Sequence, residues 1–389
     1  MTKLNKIGYS LRDVAVVQSP ISYQKHRGDV NPFVNICMRD SYPIFVAPMA
    51  SVTDEKNYKK WIKNKLTPVV PRSVQNNCTI EERLAIAKET FVSFSLSEIN
   101  EIFNKDLLCN SDFKNPFYIC IDIAHGTLSS LYEICFKIKE KYGEGVILMT
   151  GNIATPQAYE NYCNHGIDYV RCSIGSGSRC TSSVNVSVHY PLATLLDEIN
   201  DIRNSLPETL PDNPIYRKTK VIADGGIGWF DDIQKSIALG ADAVMIGKLF
   251  AECEEACGDI IWALSERDVE RGNYLTKKEK ERLIKNYDNY GEFYLKNEYL
   301  NPDDLKPFRM YFGMSTREAQ KLTGGDGKKT SEGISRPVSV KYPVGKLISN
   351  MDSYLRSCMT YTNSSNIEDL RTNTEMIILG GCGDKVYRK

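Results

Sequence analysis

Eight short apolar runs, each closed by a Gly-, Ser- or Asn-rich break and followed by an amphipathic stretch, recur along this chain of 389 residues. They are Ile44 to Ala47, Pro68 to Val70, Val92 to Ser95, Tyr118 to Ile123, Val146 to Met149, Tyr169 to Cys172, Lys220 to Ala223 and Ala243 to Ile246. That alternation is the signature of βα units. Several runs are apolar at consecutive positions, as parallel strands covered on both faces must be. Eight such units favour a closed (β/α)8 TIM barrel, an α/β fold of roughly 250 residues, over an open sheet.

Helix starts agree. Thr79 with Glu82, and Thr276 with Glu279, have the spacing of a capping box, in which side chain and backbone satisfy each other's free N–H groups. The charged stretch 253–305 reads as an exposed helical insertion after the eighth strand, and the Gly-, Asp- and Lys-rich segment within 320–335 as a mobile flap. The expected organisation is therefore one barrel domain over residues 1–389, closed by a C-terminal segment at 345–389.

Composition narrows the function. Hydrophobic residues make up 42% of the chain, enough for one large core. Lys plus Arg and Asp plus Glu number 49 each, so no surplus cation is available for a nucleic-acid backbone. No stretch approaches the ~18 apolar residues of a membrane span. The 12 Cys are scattered without paired spacing, which suits a reduced thiol pool and a cytoplasmic, soluble protein. HExxH, Walker A and zinc-type cysteine pairs are missing, which turns attention away from metal hydrolysis and P-loop chemistry.

The densest chemical signal is SIGSGSRCTSS, Ser173 to Ser183, directly after the sixth run. Small residues there let the backbone turn sharply, and Cys180 would stand at the carboxyl end of a strand, where barrel active sites form. A thiolate is a strong nucleophile. IADGGI (Ile222 to Ile227) and MIGK (Met245 to Lys248) close the seventh and eighth runs, where barrels hold phosphate on glycine N–H groups. Asp224 suits the hydroxyl pair of a ribose as acceptor. Asp122, His125 and Asn152 also stand at strand ends, and Glu332 lies on the flap as a candidate proton carrier.

Together with YSLRDVAVV, VAPMASVTD, IDIAHG, TGNIAT, MYFGMS, TSEG and LRSCMTY, these segments resemble the family of IMP dehydrogenases and GMP reductases, in the family's order. Between Arg72 and Phe91 there is no room for the paired CBS modules that dehydrogenases usually carry. Tyr190-Pro191, Gly313-Met314-Ser315 and Ser331-Glu332-Gly333 look more like the reductase, whereas VAPM, IAHG and AECEEA look more like the dehydrogenase. On the reductase side, the resemblance implies NADPH-dependent conversion of GMP to IMP and ammonia through a thioimidate on Cys180, with Ser182 and Glu332 relaying the proton.

By the same resemblance the nucleotide would meet Ser178, Asp224, Gly225, Gly226, Gly247, Lys248, Gly313, Met314, Ser315, Lys329, Ser331 and Gly333. NADPH would meet Arg72, Asp122, Ala124, Gly175, Ser357 and Thr360, and a potassium ion the carbonyls of Gly175, Gly177 and Cys180. The family assembles as tetramers, so a homotetramer is expected. The chain departs from the family at Ser182 (usually Thr), Ser183 (usually Arg), Lys329 (Arg in reductases) and Arg72 (usually Lys). The alternatives are an IMP dehydrogenase without CBS modules, oxidising IMP with NAD, and an idle purine-nucleotide-binding barrel. A flavin-dependent barrel is a third, which leaves the SGSRC loop unexplained.

Overall fold

The computed structural model describes residues 7–72, 78–109, 112–177, 182–290, 294–295, 298–299, 301–314, 316–322 and 333–380, with main chain alone at 182, 286–290, 294–295 and 298–299. Eight parallel strands close into a barrel: β1 (Ile44–Val46), β2 (Thr67–Val70), β3 (Phe91–Phe94), β4 (Phe117–Asp122), β5 (Val146–Ile153), β6 (Tyr169–Cys172), β7 (Lys220–Asp224) and β8 (Ala243–Ile246). β8 pairs with β1 to complete the ring. Each expected strand is present. Only β5 differs much, running on through Gly151 and Asn152 to Ile153.

The outer helices follow the strands in turn: α1 (Tyr58–Lys63), α2 (Ile80–Ile86), α3 (Leu96–Asn104), α4 (Ser129–Tyr142), α5 (Ala158–Asn164), α6 (Leu192–Ser205), α7 (Phe230–Ala238) and α8 (Lys248–Ala251). The capping box of α2 forms as expected, with Thr79 N donating to Glu82 Oε2 at 2.8 Å and Glu82 N to Thr79 Oγ1 at 3.2 Å.

Strand periodicity sorts the side chains into two cores. Ile44, Val46, Val92, Ile119, Ile121, Leu148, Val170, Cys172, Val221 and Val244 point outward and pack under the helices. Phe45, Val69, Phe91, Tyr118, Cys120, Met149, Tyr169, Ile222 and Met245 fill the barrel interior. Phe91 is central there, with ring centroids 5.8 Å from Phe45, 5.4 Å from Tyr118 and 5.5 Å from Tyr169. The interior is a plug of packed rings, so a ligand can enter only above it.

The stretch 253–305 corrects the expectation of a purely helical insertion. It holds β9 (Ile260–Ala263) as well as α9 (Lys277–Tyr290), whose Thr276–Glu279 cap forms. β9 pairs antiparallel with β10 (Lys306–Tyr311), which pairs with β11 (Arg336–Ser339). The apolar run of β9 is only four residues long and its partner comes more than forty residues later, so no local pattern announces it. Buried Arg309 ties this sheet to the barrel, donating to the carbonyls of Ala251 at 2.9 Å and Cys253 at 2.8 Å. In the C-terminal segment, α10 (Val344–Tyr361) packs on α7, and Met376–Ile378 pairs antiparallel with Val14–Val16. Among the described residues no helix is long and apolar enough to cross a membrane.

Candidate active site

At the carboxyl ends of the barrel strands lies a cavity of about 470 Å³, within the size range of small-molecule sites. Ser173 to Gly177 after β6, Asp224 to Gly228 after β7, and Gly247 and Lys248 after β8 form one side. Arg72, Asp122, Ile123 and Ala124 face them, and Tyr311, Gly313 and Met314 close the rim from β10.

The floor is charged, and the period-two alternation of the strands explains why. Tyr118, Cys120 and Asp122 on β4, Tyr169 and Arg171 on β6, and Ile222 and Asp224 on β7 share the inward parity, with the charged member last on each strand. Arg171 donates to Asp122 Oδ1 at 2.8 Å through Nη1 and to Asp224 Oδ2 at 2.9 Å through Nε. Burial works against the guanidinium's charge, but the carboxylates of Asp224 and Asp122 outweigh it and raise its pKa. Neighbouring Cys120, with its Sγ 4.0 Å from Arg171 Nη1, is pushed up to about 11 by burial and stays a thiol.

Gly151 makes this bridge possible. It stands between Asp122 on β4 and Arg171 on β6 in the strand register. A Cβ on Gly151 would lie 2.7 Å from that of Arg171, and φ of +152° adds to the cost of any side chain. The next residue, Asn152, donates through Nδ2 to Asp224 Oδ2 at 2.8 Å and to the Ser173 carbonyl at 2.9 Å. All these contacts to Asp224 fall on Oδ2, leaving Oδ1 without a donor among the described residues. Two polar atoms on the wall, Ser173 Oγ and Arg72 Nε, are buried without a hydrogen-bond partner among the described residues, although Arg72 Nε lies 3.7 Å from Asp122 Oδ2. Such atoms suit the polar groups of a bound cofactor.

The two glycine loops abut. Gly225, at φ +106°, has so little room that a Cβ would come 3.0 Å from Gly177 N. Gly175, at φ +80°, presses on Ser183, whose Oγ donates to the Gly175 carbonyl at 3.2 Å. That carbonyl, expected to face a potassium ion, accepts this one hydrogen bond and keeps a second lone pair.

Of the residues expected at the site, Arg72, Asp122, Ala124, Gly175, Gly177, Asp224, Gly225, Gly226, Gly247, Lys248, Gly313 and Met314 meet on this wall. Gly333, Ser357 and Thr360 are not part of it; the last two lie on α10. His125 is exposed, its Nδ1 3.1 Å from Thr127 Oγ1. Ser178, Cys180, Ser315, Lys329, Ser331 and Glu332 lie outside the described residues, and Ser182 is described only as the first residue of a helical turn to Asn185. Arg171 is a wall residue outside every motif, whereas Ser173 and Tyr311 lie within motifs but carried no expected role of their own. A lone Arg on the inward face of an apolar strand is the signal that could have found the first.

Comparison with known proteins decides the family. Residues 115–294 match the model of the IMP dehydrogenase / GMP reductase domain. An inosine-5'-monophosphate dehydrogenase of Chlorobaculum parvum is 31% identical over 265 residues, 68% of this chain and 46% of the relative. A GMP reductase of Aliivibrio fischeri is 27% identical over 311 residues, 79% of this chain and 74% of the relative, and one of Aliivibrio salmonicida is 26% identical over 330 residues, 82% and 80%. The chain belongs to the IMP dehydrogenase/GMP reductase family. It spans under half the length of the dehydrogenase and about three quarters of the A. fischeri reductase. Members of this family use a nicotinamide cofactor, and the unpartnered Ser173 Oγ and Arg72 Nε are compatible with one here.

Proposed function

We infer that this family member is a GMP reductase, converting GMP to IMP and ammonia at the cost of NADPH. The observation that carries the choice is the short connection from Val70 to Phe91, in whose described part α2 is the one helix and which leaves no space for an inserted regulatory module. The match to the two reductases, over 74% and 80% of their length, agrees with it.

In this reading the N–H groups of Gly225, Gly226 and Gly247 and the ammonium of Lys248 hold the phosphate, and Asp224 Oδ1 accepts from the ribose. Arg171 and Asn152 keep Asp224 turned toward that task by occupying Oδ2. Gly177 is on the wall, and in this reading Cys180, three residues further along the chain, serves as the nucleophile toward the purine. Its thiolate bonds to C2 of GMP and the C2–N bond breaks, with Ser182 and Glu332 delivering the proton that lets ammonia leave. Bound against Arg72, Asp122, Ala124 and Gly175, the nicotinamide cofactor supplies the hydride. Once C2 is reduced, the C–S bond breaks and the thiolate returns with IMP released.

Purified protein with GMP and NADPH should consume NADPH, and Cys180→Ala should abolish turnover while GMP still raises the melting temperature. NADH produced from IMP and NAD, without NADPH consumption, would establish the dehydrogenase instead, the reading favoured by the 31% identity to the C. parvum enzyme. Binding of GMP without turnover in either direction would leave a nucleotide-binding barrel.

A further inference from the structure

Three successive carbonyls of the β6 loop are each held by a side chain from a different segment. Asn152 Nδ2 donates to that of Ser173 at 2.9 Å and Ser183 Oγ to that of Gly175 at 3.2 Å. The carbonyl between them, on Ile174, lies 2.9 Å from His189 Nδ1. A carbonyl can only accept, so Nδ1 carries the proton in this contact, in the neutral ring and in the imidazolium alike.

Holding a carbonyl also aims the N–H across the same peptide. The bond from Ile174 to Gly175 is trans, so its C=O and N–H point in opposite directions. Ile174 and Gly175 line the cavity, whereas His189 does not. Drawing the carbonyl toward His189, behind the loop, therefore turns the Gly175 N–H toward the cavity. Among the described residues no backbone carbonyl accepts from that N–H, which leaves it for an acceptor on a bound molecule.

The base of this latch is fixed. Tyr190, next to His189, donates through its hydroxyl to Glu198 Oε2 on α6 at 2.7 Å, and Pro191 caps that helix. Leu192, Leu195, Leu196 and Ile199 bury α6 in the outer core. The His189 ring itself is exposed, so its contact can be removed without emptying a packed space.

We propose that His189 is a positioning residue for the nicotinamide cofactor, donating to the Ile174 carbonyl so that the Gly175 N–H faces the cofactor. The inference rests on the placement of that cofactor against Gly175 in the reading above.

The test compares two variants of the full chain. His189→Phe keeps a ring and removes the donor, whereas His189→Asn places an amide nitrogen on Cγ where Nδ1 stood. His189→Phe should raise the KM for NADPH roughly three- to tenfold, the worth of one hydrogen bond, with the KM for GMP and the melting temperature unchanged. His189→Asn should recover most of the cofactor affinity. If the wild type instead turns over IMP with NAD, the reductase reading fails and the same split is read on the KM for NAD. Without turnover in either direction, calorimetric titration with NADPH and NAD gives the affinities to compare. Wild-type cofactor affinity in His189→Phe, an equal loss in both variants, or a KM for the nucleotide that rises as much as that for the cofactor overturns the proposal. So does a lowered melting temperature in His189→Phe, or a wild type that binds neither cofactor.

Discussion

Arg171 shows how much one side chain can decide. It is 9% exposed and stands between two carboxylates, so removing it leaves two negative groups facing each other at the floor of the cavity. Breaking a buried pair this way costs about 3–5 kcal/mol. Arg171→Met should therefore lower the unfolding free energy in denaturant by that amount and abolish GMP binding. Arg171→Lys should recover part of the stability, since an ammonium keeps the charge but cannot form the fork to both acids.

A second residue-scale effect sits outside the site. Burial tends to raise the pKa of Glu98, but the charge of Arg83 at 2.6 Å and the hydrogen bonds of Ser95 outweigh it and hold the group below its ordinary 4.5. A depressed carboxylate contributes stability that is present above 4.5 and lost as pH falls through the folded-state value. Glu98→Gln should flatten that acid limb in a melting-temperature profile, with the difference from wild type vanishing at the acid end.

At the scale of elements, the site depends on loops that touch. Gly225 ends β7 with positive φ and stands against Gly177 of the β6 loop, so Gly225→Ala combines about 1–2 kcal/mol of left-handed strain with a steric push on the neighbouring loop. The expected result is a KM for GMP raised about tenfold or more, with the unfolding free energy lowered by about the strain alone. An unchanged KM beside that loss of stability would show that the loops are structural only. These loops were legible in the chain because glycines at consecutive strand ends are local signals. The sheet of β9, β10 and β11 was not, since its strands are short and joined across long separations.

For the molecule as a whole, the ring plug under the cavity is the main support. Phe91 is fully buried against three other rings, and Phe91→Ala should cost about 3–5 kcal/mol, read as an earlier unfolding midpoint. The cavity floor rests on this plug, so GMP affinity should fall in step.

The sequence by itself determined the eight βα units, the helix caps and the glycine loops, because each is written in neighbouring residues through periodicity, capping or turn chemistry. Only the tertiary structure decided that Asp122, Arg171 and Asp224 form one ion network across a gap left by Gly151, and that Tyr311 joins the wall from a distant sheet. Strand register and barrel closure bring those groups together, and both are set by packing over the whole ring rather than by any stretch of chain.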